Sequence, residues 1–365
     1  MTKDQKHRYS NSFAAPDIKL RLRNLVSIGL LLTVFFISYY HFAQAENTPS
    51  VIPNYIWACQ GQVAFFEYNG KIGLIHKDGR ILADAVYDNV DPFENGYATV
   101  EQNGLWGVIN QSGEIITPPQ WDIVGTLSEG LMVVKKPGPG YKGGRGFIDT
   151  TGKVVIPTIW DKAYFFSEGY APVEKDSKYG YIDAKGNVVL EPIYDNTGNF
   201  SEGLAFVEIE GKTVYLDVRG NVVLDIGQKE GGVFSEGLAP VKENGLYGYI
   251  DKTGAYAIEP QYSIARGFSQ GLAPVKRDGK WYFINHSGDV VLSGDWSDAW
   301  SFSEGFAFVQ KRGLWGAINL SGELVFDYQW MHGSTFSNGH ARVRKNRVDG
   351  YINLQGEYIC GIKEP

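Results

Sequence analysis

The stretch Phe234–Gly254, FSEGLAPVKENGLYGYIDKTG, decides how this chain is read. Thirty-four residues on, Phe268–Gly288 reads FSQGLAPVKRDGKWYFINHSG, and after the same interval Phe302–Gly322 reads FSEGFAFVQKRGLWGAINLSG. With the Ser of S-E-G as origin, nine copies start at Gln60, Glu94, Ser128, Ser167, Ser201, Ser235, Ser269, Ser303 and Ser337. The step is 34 except once, where it is 39; the extra five residues fall in KKPGPGYKGG, Lys135–Gly144. Self-similarity of this kind outweighs any local motif in fixing the fold.

A 34-residue period also suits paired helices, so the content of each copy must decide. Glycine stands 19 residues after the origin in all nine copies (Gly79, Gly113 and onward to Gly356), and recurs in most copies at positions 2 and 13. Each Gly inside a helix costs about 1 kcal/mol relative to Ala, so three per copy exclude helical pairs. Between the glycines lie short β-rich runs: LAPVK, a turn such as ENG, then YGYID, a turn such as DKTG, then NVVLEP. This predicts an antiparallel meander of three strands with a fourth, irregular one. Asp or Asn before the turn glycine predicts an Asx turn. Ala at position 4, Val at 6, Ile at 15 and the Phe before S-E-G are the expected core.

GLWGVIN, KYGYIDAKG, GLYGYIDKTG and GLWGAINLSG, together with FSEGLAPV, resemble the bacterial WG-repeat family over about 300 residues. The fifth copy departs with TVYLD, the seventh with WYFIN, and the first has Ile72 in place of Trp. The resemblance implies repeated β-structure in bacterial, often exported, proteins, and no shared reaction.

The expected fold is all-β: nine tandem 34-residue antiparallel meanders over 60–365 in a propeller-like closed array, the alternative being an open curved solenoid. One N-terminal hydrophobic helix is expected before it. The final copy stops at YICGIKEP, and VIPNYIWACQ ahead of the first copy looks like the missing end of a repeat. Residues 46–59 are therefore read as a linker and closing strand, which would complete the last blade and remove exposed edges. Cys59 and Cys360, the only two cysteines, are candidates for a disulfide between the ends.

Residues 1–24 form a basic tail, and Leu25–Ala45 has no Asp, Glu, Lys or Arg and ends in AQA. That pattern predicts a cytoplasmic N-terminus and either a cleaved signal peptide or an inner-membrane signal anchor. The repeats are then extracytoplasmic, periplasmic or at the cell surface. Residues 1–45 hold six Lys/Arg and two Asp/Glu of the chain's 34 and 41, which leaves 28 and 39, a net of −11, for the rest. So acidic a surface repels phosphate backbones, so no nucleic-acid partner is expected.

Six histidines form no ligand pair, so no metal, cofactor or catalytic residue is assigned. The Asp/Asn ladder at position 16 is explained by Asx turns, and the Glu of S-E-G by a solvated turn residue or a carboxylate ring. The candidate binding residues are the aromatic ladder Trp106, Tyr179, Tyr247, Trp281 and Trp315, which inter-repeat packing also explains. Tyr141 in the inserted loop and the basic edge His340, Arg342 and Arg344 complete the set. The expected function is a non-catalytic binding or scaffold module of the cell envelope, recognising a protein or glycan. An exported enzyme with a site at the centre or rim of the array is the alternative. Residues that break the repeat would gather in one pocket for such a site and scatter for a scaffold.

Overall fold

Each S-E-G closes a two-residue hairpin. Ser167 and Tyr170 exchange both backbone hydrogen bonds, at 2.9 and 3.1 Å. Between them Glu168 and Gly169 have φ of +55° and +85°, a type I′ turn, whose twist matches that of the flanking strands. The second recurrent turn is the Asx turn. Asp251 Oδ1 accepts the N–H groups of Thr253 at 2.8 Å and Ala255 at 3.2 Å.

These turns divide the chain into strands alone. The computed structural model describes residues 55–58, 63–76, 78–91, 93–138, 144–346 and 348–360, which contain no helix. The expected N-terminal helix, residues 25–45 and Cys59 lie outside these residues. The strands form nine four-stranded antiparallel sheets, each contiguous in the chain. Blades 1 to 9 span 55–87, 89–121, 123–160, 162–194, 196–227, 230–262, 264–293, 298–330 and 332–360. In blade 4 the strands are Lys162–Ala163, Tyr170–Lys175, Lys178–Asp183 and Val188–Tyr194. A single residue carries the chain from blade 3 to blade 4. It is Asp161, whose Oδ2 accepts the Asp176 N–H at 2.8 Å.

The glycine of the W-G pair has a structural cause. In blade 4, Tyr179 pairs with Tyr194 and Tyr181 with Leu190, so residues 191–193 bulge opposite Gly180 alone. A Cβ on Gly180 would lie 2.4 Å from the Leu190 carbonyl oxygen and 2.7 Å from the Pro192 nitrogen. The two interior copies that lack this glycine also lack the wide bulge. Val214 in blade 5 pairs directly with Asp225, and Tyr282 in blade 7 with Ser293. Side chain and bulge exclude one another, and blades 1 to 8 each use one or the other.

Packing runs from each blade to the next. The Phe before S-E-G is buried against the aromatic at position 14 of the preceding blade, as in Phe147–Phe166 (4.9 Å, T-shaped) and Tyr249–Phe268 (5.0 Å). Ala at position 4, Val at 6 and Ile at 15 are buried in the same layers. Burial of one such Phe contributes roughly 1.5–3 kcal/mol.

Three series of hydrogen bonds join the blades. Ser167 Oγ donates to the Phe200 carbonyl and Ser235 Oγ to that of Phe268, at 2.8 and 2.6 Å. Buried Tyr215 and Tyr249 donate to the carbonyls of Gly232 and Arg266, each at 2.7 Å. The turn side chains form the third series: Glu129, Glu168, Glu202, Glu236, Gln270 and Glu304 accept the N–H groups of Gly169, Gly203, Gly237, Gly271, Gly305 and Gly339 in turn. The Glu ladder is thus neither merely solvated nor a free ring of charge.

The array closes as a ring. Tyr55–Ala58 lies beside Tyr358–Cys360, and Tyr351 of blade 9 joins the core of Val63 and Phe65 in blade 1. One detail corrects the expected closure. Tyr55–Ala58 pairs with Val63–Tyr68 and completes the first blade, while blade 9 has its own short fourth strand. No strand is exchanged, because the first strand of every blade, four residues in blade 1 and two in the others, precedes its hairpins in the chain.

Candidate functional site: a cavity at the junction of blades 2 and 3

The expected binding residues do not form one surface. Trp281 and Trp315 are buried, and the Trp281 indole donates to the Ser297 carbonyl at 2.9 Å. Trp106, Tyr179 and Tyr247 are partly exposed, each on a different blade. Lys162 donates to the Tyr179 hydroxyl at 3.3 Å, and burial together with hydrogen bonding to Glu174 pushes that phenol up to about 12. Tyr141 lies outside the described residues. On the last blade His340 is buried, its Nδ1 3.0 Å from the Asn338 carbonyl, while Arg342 and Arg344 project from the exposed face of the same strand.

Departures from the repeat do converge, at another place. A cavity of about 200 Å³ lies between blades 2 and 3, with Arg342 and Tyr351 reaching it from blade 9. Four of its lining residues replace the usual ones. Val108 stands where most other blades place Tyr or Phe, and Leu127 where blades 4 to 9 have Phe. Met132 replaces the otherwise invariant Ala of position 4, and Glu94 replaces Ser at the turn. Two truncated aromatics leave the space, and Met132 refills part of it.

Polar groups gather on the wall. Asp91 Oδ2 accepts the Thr99 hydroxyl at 2.6 Å, and Glu94 and Thr126 line the same cavity. The interblade bonds weaken here as well. Asn95 replaces the turn Glu and reaches only the Leu127 carbonyl, at 3.5 Å. An apolar floor with a few oriented polar groups can hold a small group of about a dozen heavy atoms or fewer. Arg342 was legible as a basic edge. Val108, Leu127 and Met132 were visible only as mismatches to the repeat, a signal that a search for reactive residues passes over.

Nine contiguous four-stranded blades closed into a ring define a β-propeller of repeated units with one irregular junction. Eight segments covering 72–106, 106–138, 146–179, 179–212, 215–247, 247–281, 283–315 and 315–347 match the model of the WG containing repeat. The chain belongs to the WG containing repeat family. No curated protein matches it. Among solved structures it is similar to a eukaryotic initiation factor, at 10% identity and a TM-score of 0.57, covering 84% of this chain and 96% of that one. It also matches the extracellular domain of a one component system from B. thetaiotaomicron, at 10% identity, a TM-score of 0.35, and 88% and 55% coverage. PorZ, a bacterial surface component of the type-IX secretion system of Porphyromonas gingivalis, matches at 10% identity, a TM-score of 0.30, and 84% and 52% coverage. These likenesses concern the fold alone.

Proposed function

We propose that this protein is a non-catalytic binding module that holds a protein or glycan partner of the bacterial cell envelope through the cavity between blades 2 and 3. The observation that carries the reading is the gathering of four departures from the repeat, Glu94, Val108, Leu127 and Met132, around one space: the gathering marks a site, and the apolar floor of Val108, Leu127 and Met132 suits holding a partner more than reacting with it. Elsewhere the recurring polar residues are occupied in turns and interblade bonds. The basic tail and apolar segment of 1–45 support an extracytoplasmic domain, released or anchored.

The test restores the repeat. Val108→Phe with Leu127→Phe fills the cavity while keeping the fold. Capture of an envelope protein or a glycan by the wild-type chain, lost in the filled variant, supports the reading; equal capture by both overturns it. Convergence also favours a second reading, an enzyme using the Asp91 and Glu94 carboxylates. Chemical change of the captured partner, lost in Asp91→Asn and Glu94→Gln, would select it.

A further inference from the structure

Blade 3 places a cation where five of the other blades place an aromatic ring. Arg145 opens the third strand, Arg145–Asp149, and pairs across to Trp160 at the end of the fourth, Val154–Trp160. The corresponding pairs are Trp106 with Trp121, Tyr179 with Tyr194, Tyr247 with Tyr262 and Trp315 with Trp330. A cross-strand pair brings the two Cβ atoms to about 5 Å, on one face of the sheet.

Both side chains carry an unanswered donor. Trp160 is 6% exposed, and neither its indole N–H nor the buried Arg145 Nε has an acceptor among the described residues. Other buried indoles of this class are satisfied. Trp121 donates to Thr117 Oγ1 at 3.1 Å, Trp296 to the Tyr328 hydroxyl at 3.1 Å and Trp330 to that of Tyr358 at 2.6 Å. Buried donors without partners are rare in native structures and call for an explanation.

Blades 7 and 8 contain an internal comparison. Among the described residues Arg266 Nε and the Trp300 indole N–H are likewise without acceptors, and the guanidinium lies 4.0 Å over the Trp300 ring. There the charge is answered, because Asp298 Oδ1 lies 3.2 Å from Arg266 Nη2. Among the described residues no carboxylate pairs with Arg145; Asp122, whose N–H bonds the carbonyl of Lys135 directly across from Arg145, is held by the Lys135 ammonium at 3.1 Å. A half-buried guanidinium without a carboxylate is costly to hold.

We propose that Arg145 and Trp160 form a receptor for a ligand carboxylate, which takes the place that Asp298 fills beside Arg266. The planar guanidinium fork matches a carboxylate in bidentate fashion, and the indole N–H supplies a further donor. In a chain whose residues 46–365 carry a net charge of −11, such a site suits one isolated carboxylate and not a polyanion. A peptide C-terminus and a sugar acid share this chemistry. The site is separate from the interblade cavity, so its failure leaves the proposed function untouched.

The indole N–H signals of the full-length chain, with Trp160 assigned through Trp160→Phe, test this. N-acetylglycine is compared with its amide, and glucuronate with glucose. The Trp160 signal should move with at least one carboxylate and with neither neutral partner, and the responding acid identifies the source. Arg145→Gln should weaken that binding at least tenfold with melting unchanged. Should Arg145→Gln fail to fold, Arg145→Lys, which keeps charge without the fork, should bind more weakly than wild type. No movement with either acid, equal movement with a neutral partner, or undiminished binding in the Arg145 variant would overturn the proposal.

Discussion

The Glu168 carboxylate spans two backbone N–H groups of the following blade, those of Glu202 at 2.7 Å and Gly203 at 2.9 Å. Glu168 itself is left-handed, with φ of +55°. Asn or Gly would suit that conformation better, at roughly 1 kcal/mol less strain. A longer acid is used because its reach crosses to the next blade.

Glu168→Gln keeps an acceptor, as Gln270 does naturally toward Gly305 at 2.9 Å, and should cost less than about 1 kcal/mol in denaturant unfolding. Glu168→Ala loses both bonds and keeps the left-handed strain, and should cost about 2 kcal/mol. Equal costs for the two variants would remove the interblade role.

Gly180→Val should destabilise by about 3 kcal/mol or more, since its Cβ meets backbone that the bulge cannot withdraw. Val214→Gly, the reverse change in blade 5, meets no such clash and should cost about 1–2 kcal/mol through lost packing and added backbone freedom. Thermal melts of the two variants check the asymmetry. A tolerated Gly180→Val would show that the bulge is not what requires glycine.

Tyr249→Phe removes the bond to the Arg266 carbonyl and should cost about 1 kcal/mol. Burial holds the phenols of Tyr215 and Tyr249 well above the usual tyrosine range. Their folded-state values are raised, so the folded state retains protons that the unfolded chain gives up. Stability should fall as pH climbs above about 10, where unfolded tyrosines ionise. An alkaline unfolding midpoint that Tyr215→Phe and Tyr249→Phe both leave unmoved would refute this.

At the acid end the Asx turns act in the opposite sense. The Asn221 side-chain amide holds the Asp217 carboxyl below the usual aspartate range, and the Thr253 hydroxyl does the same for Asp251, with backbone N–H groups adding to both. These carboxyls contribute stability above the ordinary aspartate value of about 4, and it is lost as pH falls through their depressed values. Asp251→Asn should flatten that acid limb while keeping the turn, as Asn285 and Asn319 already do. Urea midpoints measured from pH 5 downward provide the check.

The blades, their turns and their core residues were legible because each follows from local chemistry repeated nine times. The glycine at position 19 and its Asx partner fix a turn without reference to the rest of the chain. Interblade contacts were less legible. That Glu168 reaches Gly203, or that Gly180 faces a bulge, depends on which blades are neighbours and how strands bend. The cavity was hidden for a similar reason. Val108, Leu127 and Met132 are ordinary core residues, and only their meeting at one junction with Glu94 and Arg342 gives them significance.

No strand is shared between the first and last blades, so the ring has no chemically privileged beginning. Where new termini fall between other blades, at the residue following Gly227 for example, and a short linker joins residue 360 to residue 55, the same nine sheets should assemble in rotated order. A strand-exchanging propeller would lose its clasp under that rearrangement. Here the position of the opening is free to vary, and a chain opened between any two blades should build the same ring.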